Sequence, residues 1–373
     1  MTTLQWPQVH AWRMRQHGLA PRLSTQDYIL AVTRTAGIQA QVMSAAELAM
    51  CTRVEGLAPR DVQAALFEDH TLVRTWAMRG TLHVLAANEL PLYVAARNWQ
   101  LAANWSKYFA EFGLSGSQQE AFLLAVPHVL EQGPLTRSQL ADALAQHIGL
   151  ASVRDLILSS SWGAPLKPSA YRGELCFGPG QGKTGTFMNP RTWISEWQVI
   201  EQELALQEMV RRYLQAYGPA TSDDFMFWWG CTKTQARKLF QALAEELEEV
   251  DVEGWRAFAL RTTLPLMQSS EPLETVLLLP LFDAYTLGVP RDCEPVLAAA
   301  YKRQVFNQQG WTFAVVLVNG CVQGLWETTS RRSHILVKVN LFCPMSDAIR
   351  DGIAGEAERL SGILEKDVVV EYA

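Results

Sequence analysis

The sequence predicts an α+β fold, mainly helical, in which tandem helix-turn-helix units closed by β-hairpins precede a strand-rich C-terminal unit. Capped helical segments followed by short apolar hairpins recur along the first 274 residues, and beyond Val276 the apolar pattern changes to strand-like runs. A composition of 49% hydrophobic and 19% charged residues over 373 positions supports buried cores and excludes a disordered chain. At roughly 150 residues per domain, the length allows about two to three domains.

Ser24 and Asp27 form a capping box ahead of Ile29, Leu30 and Val32, with Gly37 as the C′ stop. Ser44 and Glu47 form a second box before Leu48, Met50 and Cys51, so Gln39 and Gln41 fall at a helix-to-helix junction. A helix over 59–69 leads to β-branched and aromatic residues from Val73 to His83, which suggest a hairpin around Gly80. The design repeats with a capped helix from Pro134, a helix over 152–161, and the strand-like 171–177 run into a Gly-rich turn. It repeats again with Thr221 capping a helix that carries Phe225, Trp228 and Trp229, Gly230 as the turn, and Thr232-x-x-Gln235 opening a second helix. Strands over 249–252 and 255–260 flank Glu253-Gly254. Helix, tight turn, helix and two-stranded wing together spell a winged helix.

The C-terminal quarter reads as strands over 275–280, 312–318, 322–326 and 335–341, with Asn319-Gly320 as a hairpin turn. A helix over 346–360 and a strand over 368–370 end the chain. The expected division is therefore 1–112, 113–195 and 196–274 for three winged-helix modules, and 275–373 for an α+β cap.

Several function classes are disfavoured. No apolar run approaches the roughly 18 residues of a membrane span, and the N-terminal residues lack a secretory pattern, so a cytoplasmic protein is expected. The six cysteines are scattered with no C-x-x-C pair and read as buried thiols. None of the seven histidines has a partner at the spacing of a helical metal pair, so neither a metal nor a cofactor is expected. Gly182-Lys183-Thr184 lacks the P-loop spacing and reads as a wing tip, whose Lys183 could meet a phosphate. A net charge of −6 argues against a general polyanion binder, although acidic helices such as 245–249 can dominate the sum while a cleft stays basic.

The remaining candidates are polar residues in particular places. Asp223-Asp224 suits the first turn of a helix. Asp283, inside an apolar aromatic run, reads as a buried hydrogen-bonding carboxylate. If the Gln39–Gln41 segment is extended, both carboxamides project from one side beside a helix N-terminus, where they can hold a water or grip a base edge. Loop glutamines that satisfy the backbone are the alternative.

Arg13-Met14-Arg15-Gln16-His17-Gly18-Leu19, Gly37-Ile38-Gln39-Ala40-Gln41, Arg79-Gly80-Thr81-Leu82-His83, the 212–221 block, Asp224-Phe225 with Trp228 and Gly230, the 279–288 block and Gly324-Leu325-Trp326 together resemble the winged-helix DNA glycosylases of the AlkZ/YcaQ type. The resemblance runs from about Arg13 to Trp326, and Gln39-Ala40-Gln41 places the chain nearer the AlkZ branch. It implies three tandem winged helices around a cationic concave surface for duplex DNA. It also implies excision of N7-alkylated purines, including unhooking of N7-guanine interstrand crosslinks; a monofunctional glycosylase that acts as a monomer without cofactor is expected. Gln39 and Gln41 would be catalytic, and Arg13, Arg34, Arg79, Lys233, Arg237, Arg331 and Arg332 would contact phosphate or groove. The DNA-entering hairpin would be 327–334, with Arg331-Arg332 at its tip. A non-enzymatic winged-helix transcription regulator is the rival expectation.

Overall fold

A computed structural model describes residues 2–97, 105–160, 163–182, 184–289, 293–307 and 310–373, which leaves Lys183 outside the described residues. The chain forms two compact units, one made of Met1–Val62 with Met209–Ala373 and one of Gln63–Glu208.

In the larger unit the chain termini are drawn into sheets. The strand Thr2–Leu4 pairs in parallel with Leu247–Val252, which forms a hairpin with Trp255–Leu260. Glu253 and Gly254 turn that hairpin at φ 51° and 93°, the left-handed pair of a two-residue turn. Ahead of it, Thr221 caps the Ser222–Trp229 helix in reciprocal bonds with Asp224, Gly230 ends that helix at φ 82°, and Thr232 with Gln235 boxes the Lys233–Ala242 helix. The expected order of helix, turn, helix and hairpin is present here.

A five-stranded sheet follows in the order Val276–Leu279, Val315–Val318, Cys321–Ser330, Ile335–Leu341, Val368–Tyr372. Its first two strands, Val276–Leu279 and Val315–Val318, are apolar along their length because both of their faces are covered. Leu277, Leu279, Val315 and Leu317 join a core with Val9, Trp12 and Met14 of the Trp6–Gln16 helix. The alternate residues Leu278 and Val316 pack with Ile353 and Leu360 of the Asp347–Leu364 helix, and Leu48 of the Met43–Arg53 helix leans on the same cluster.

The smaller unit holds an antiparallel sheet in the order Leu82–Ala86, Leu72–Trp76, Cys176–Gln181, Thr184–Met188, Leu135–Thr136. The helices Gly116–Val129, Arg137–Ile148 and Ser152–Ser159 bury Phe122, Leu140, Leu144 and Leu156 in its core. The hairpin around Gly80 is present, and the 152–161 helix ends at Ser159, with Ser161 outside the described residues.

The two compact units group the chain differently from the four consecutive segments. Residues 1–112 are split inside the Pro59–Phe67 helix, and residues 196–274 inside the Gln202–Tyr217 helix. The physical reason is long-range pairing: residues 2–4 find their strand partner at 250–252, which local patterning cannot reveal. Two local expectations also change. Helix Tyr28–Thr33 ends with Ala36 at φ 52° and with Gly37 N–H bonded to Val32 O at 2.8 Å, so Gly37 occupies C″ and Ala36 the left-handed C′ position. The Met43–Arg53 helix begins one residue before Ser44, and its N-cap, Val42, offers no side-chain bond.

Gly288 marks a tight crossing in the larger unit. A Cβ there would lie 1.8 Å from Tyr217 Cε1, and Tyr213 donates to Gly288 O at 3.2 Å. Gly288→Ala should therefore lower the unfolding free energy by about 1–3 kcal/mol through overpacking, as read from urea denaturation.

Candidate functional site

Gln39 ends the two-residue strand Ile38–Gln39, and Gln41 lies two residues before the Met43–Arg53 helix. Gln39 is 7% exposed, Ala40 is fully buried, and Gln41 is half-buried. Both glutamines thus precede the positive end of a helix by a few residues, on a segment flanked on both sides by anchored backbone.

Upstream, Thr35 Oγ1 donates to Ala31 O at 2.7 Å, and Tyr217 donates to Thr35 O at 2.8 Å. Downstream, the far end of the Met43–Arg53 helix is anchored by Arg53. Its guanidinium donates to both carboxylate oxygens of Asp283 at 2.7 and 2.8 Å, and both side chains are fully buried. Asp283 also accepts from Tyr285 N–H at 2.9 Å. The helix's last carbonyls receive cationic donors: Arg22 Nε reaches Thr52 O at 3.0 Å and Arg359 Nη2 reaches Cys51 O at 2.8 Å. Positive charge at a helix C-terminus is favourable, and Glu356 bonds Arg22 to keep the group balanced. Asp283 therefore has the structural role read from its apolar surroundings. Arg53, Arg22, Glu356 and Arg359 have no local sequence signal and become visible only as tertiary partners.

The other motif residues close on this same framework. His17 lies edge-on between the rings of Tyr217 and Tyr285, at 4.9 and 5.4 Å. Burial first, and the Arg53 charge second, hold its pKa well below the ordinary histidine value. Tyr285 donates to Gly320 O at 2.9 Å, and Trp326 Nε1 to Leu279 O at 2.8 Å.

The basic candidates separate into kinds. Arg13 is corrected: it is 0% exposed and donates to Gly218 O at 3.3 Å and Pro219 O at 3.0 Å, so it holds a turn in the interior and cannot reach a phosphate. Arg34 and Arg237 are exposed. Lys233 is exposed but carries a 2.5 Å ion pair to Asp223. Arg331 and Arg332 are exposed at the tip between Cys321–Ser330 and Ile335–Leu341, where Arg331 N–H donates to His334 O at 2.8 Å and Lys366 Nζ to Arg331 O at 2.6 Å. Arg79 is half-buried in the smaller unit, at φ 54°. Among the described residues no helix is long and apolar enough to cross a membrane, and no three His, Cys, Asp or Glu side chains are grouped to hold a metal ion.

The family model for AlkZ-like DNA glycosylases matches residues 32–363. The chain is 36% identical over 333 residues to an interstrand DNA cross-link repair glycosylase of Streptomyces sahachiroi, covering 86% of this chain and 87% of that protein. The solved structure of the Streptomyces sahachiroi DNA glycosylase AlkZ superposes with a TM-score of 0.87 at 32% identity, covering 100% of both chains.

Two expectations follow from the buried polar groups. Asp283→Ala leaves the Arg53 guanidinium charged and buried without its carboxylate, and should cost about 3–5 kcal/mol in urea unfolding; a loss below about 1 kcal/mol would deny it the anchoring role. Burial is the main reason that the pKa values of His10 and His83 fall from 6.5 to about 4 and about 3. Since the folded values lie below the unfolded one, their stabilisation is complete above pH 6.5 and is lost as the pH falls toward the folded values. Each histidine should contribute a slope approaching about 1.4 kcal/mol per pH unit in that window. Urea midpoints across this range should fall with acidification, and His83→Gln should remove one proton's share of the slope.

Proposed function

Since the chain belongs to the AlkZ-like DNA glycosylase family, we propose that it hydrolyses the N-glycosidic bond of N7-alkylated purines in duplex DNA and unhooks N7-guanine interstrand crosslinks, with Gln39 and Gln41 as its catalytic residues. As a DNA glycosylase it is an enzyme, and the non-enzymatic regulator reading is set aside.

The observation that carries the catalytic assignment is the placement of the two carboxamides. The two glutamines flank a fully buried alanine in the chain, on a segment held upstream by Tyr217 and downstream by a helix locked to Asp283, which supports a fixed spacing of their side chains. N7 alkylation leaves a fixed positive charge on the purine, so the glycosidic bond is already weakened and the leaving base needs no strong general acid. Two rigid amides suffice for what remains: their oxygens accept from a water and aim its lone pair at C1′, and their dipoles stabilise the oxocarbenium-like charge. Neither amide titrates near neutral pH, so the water's proton passes to solvent after attack. A crosslinked base is tethered to the opposite strand and cannot swing fully into a closed pocket, which favours a site open to the duplex.

In this reading the winged-helix modules bind the duplex, the protein acts as a monomer without a cofactor, and Arg34, Arg79, Lys233, Arg237, Arg331 and Arg332 supply phosphate or groove contacts. Lys233 contributes less than Arg237 because Asp223 neutralises it. The hairpin that carries Arg331 and Arg332 is the candidate to enter the DNA.

Release of N7-methylguanine and unhooking of an N7-guanine crosslink from synthetic duplexes test this directly. The Gln39→Ala, Gln41→Ala double variant should bind the duplex as wild type does and excise more slowly by about 10²-fold or more. Near-normal excision by the folded double variant would remove catalysis from these residues. A folded wild type that bound DNA and left both lesions intact would overturn the substrate class.

A further inference from the structure

The Arg79-Gly80-Thr81-Leu82-His83 turn carries more positive charge than its own sequence contains. Lys167, the first residue of the Lys167–Tyr171 helix, is half-buried, and its Nζ donates to Gly80 O at 3.0 Å. A Cβ on Gly80 would lie 3.0 Å from the Tyr171 hydroxyl and 3.6 Å from Lys167 Nζ, so both side chains lie against the turn. Arg97 is 2% exposed, and its guanidinium lies 5.3 Å from the centroid of the Tyr171 ring. All of these residues belong to the smaller unit.

The charges that shift Lys167 and His83 are of one sign. Burial and then the Arg97 charge pull Lys167 below the ordinary lysine pKa. Burial, Arg79 and Arg97 likewise pull His83 down, against one backbone hydrogen bond to Thr81. No carboxylate acts on either group, in a chain with 38 acidic and 32 basic residues. Lys167 forms no ion pair among the described residues, and its bond to Gly80 O uses one of three donors. A half-buried ammonium beside another cation is held at a free-energy cost, which an anion on its open side offsets.

We propose that Lys167 binds a backbone phosphodiester of the duplex at the open side of the Arg79-Gly80 turn. Arg79 is the second cation on that phosphate, and Arg97 is the buried charge that keeps the field positive. The identity of the polymer rests on the DNA glycosylase reading above; the anion site rests on the side chains named here.

The competing role for Lys167 is a pin that only holds Gly80. Lys167→Gln separates the two, because the amide keeps a donor for Gly80 O and removes the charge, while Lys167→Arg keeps both. Binding of a fluorescent undamaged duplex is measured by anisotropy over a range of KCl concentrations, with thermal melting as the folding control. Lys167→Gln should melt as wild type, bind several-fold more weakly at physiological salt, and show a slope of log K on log salt smaller in magnitude by about one; Lys167→Arg should restore both. A wild-type slope in Lys167→Gln, or a loss of affinity by the same factor at every salt concentration, would overturn the phosphate contact. Inorganic phosphate at constant ionic strength is the second probe. Phosphate that competes with the duplex in wild type and not in Lys167→Gln is consistent with the phosphodiester contact, whereas phosphate that binds wild type and not Lys167→Gln while the duplex stays bound would assign the site to a free phosphate instead. Because binding is read on undamaged DNA, failure to release N7-methylguanine would count against the proposed function and leave the slope comparison to decide this site.

Discussion

Arg53 and Asp283 meet where water reaches neither of them, and the placement of the candidate catalytic segment depends on that meeting. The pair is bidentate, and the carboxylate is further held by the backbone N–H of Tyr285. A buried ion pair adds little net stability over a well-packed apolar contact, because desolvation of both charges offsets their attraction. Its value lies in discrimination: any arrangement that separates the partners leaves a bare charge in the interior. One partner ends the helix that begins just after Gln41, and the other lies in the block that follows the first strand of the five-stranded sheet. The pair therefore sets the helix against the sheet and, through the helix, the downstream end of the segment that carries the two amides.

The same logic extends through the larger unit. Its chain is interrupted by 146 residues of the smaller unit, and its two parts are joined by contacts rather than by sequence proximity. Arg13 holds the carbonyls of Gly218 and Pro219, Tyr217 holds Thr35, and Gly288 lets Tyr217 lie against the backbone. Most of these residues lie in the motifs on which the family resemblance rests. They act on the fold of the larger unit, whereas Gln39 and Gln41 are the motif residues proposed for the chemistry.

Net charge is a poor guide to such a molecule. The total of −6 conceals acidic groups that are already committed: Asp223 to Lys233, Glu246 to Arg211, Glu356 to Arg22. It also conceals basic groups of different standing. Arg13 and Arg53 are interior and serve the fold, whereas Arg34, Arg237, Arg331 and Arg332 face solvent. A count weighs these equally, while the field at a given place depends on burial and partners.

The sequence by itself determined the features that short-range physics governs. Reciprocal caps at Thr221 and Thr232, the left-handed turns at Glu253-Gly254 and Asn319-Gly320, and the change to strands after Val276 were legible because each depends on a few adjacent residues. Gln39 and Gln41 were legible as a motif, since their spacing and neighbouring helix are local. The partner of Asp283, the burial of Arg13, the pairing of residues 2–4 with 250–252 and the approach of Lys167 to Gly80 were decided only by the tertiary structure. Each joins residues between 87 and 248 positions apart or depends on what surrounds a side chain on all sides. Local patterning contains no term for either, because a charged residue next to a helix cap reads the same whether the fold turns it toward water or seals it in a core.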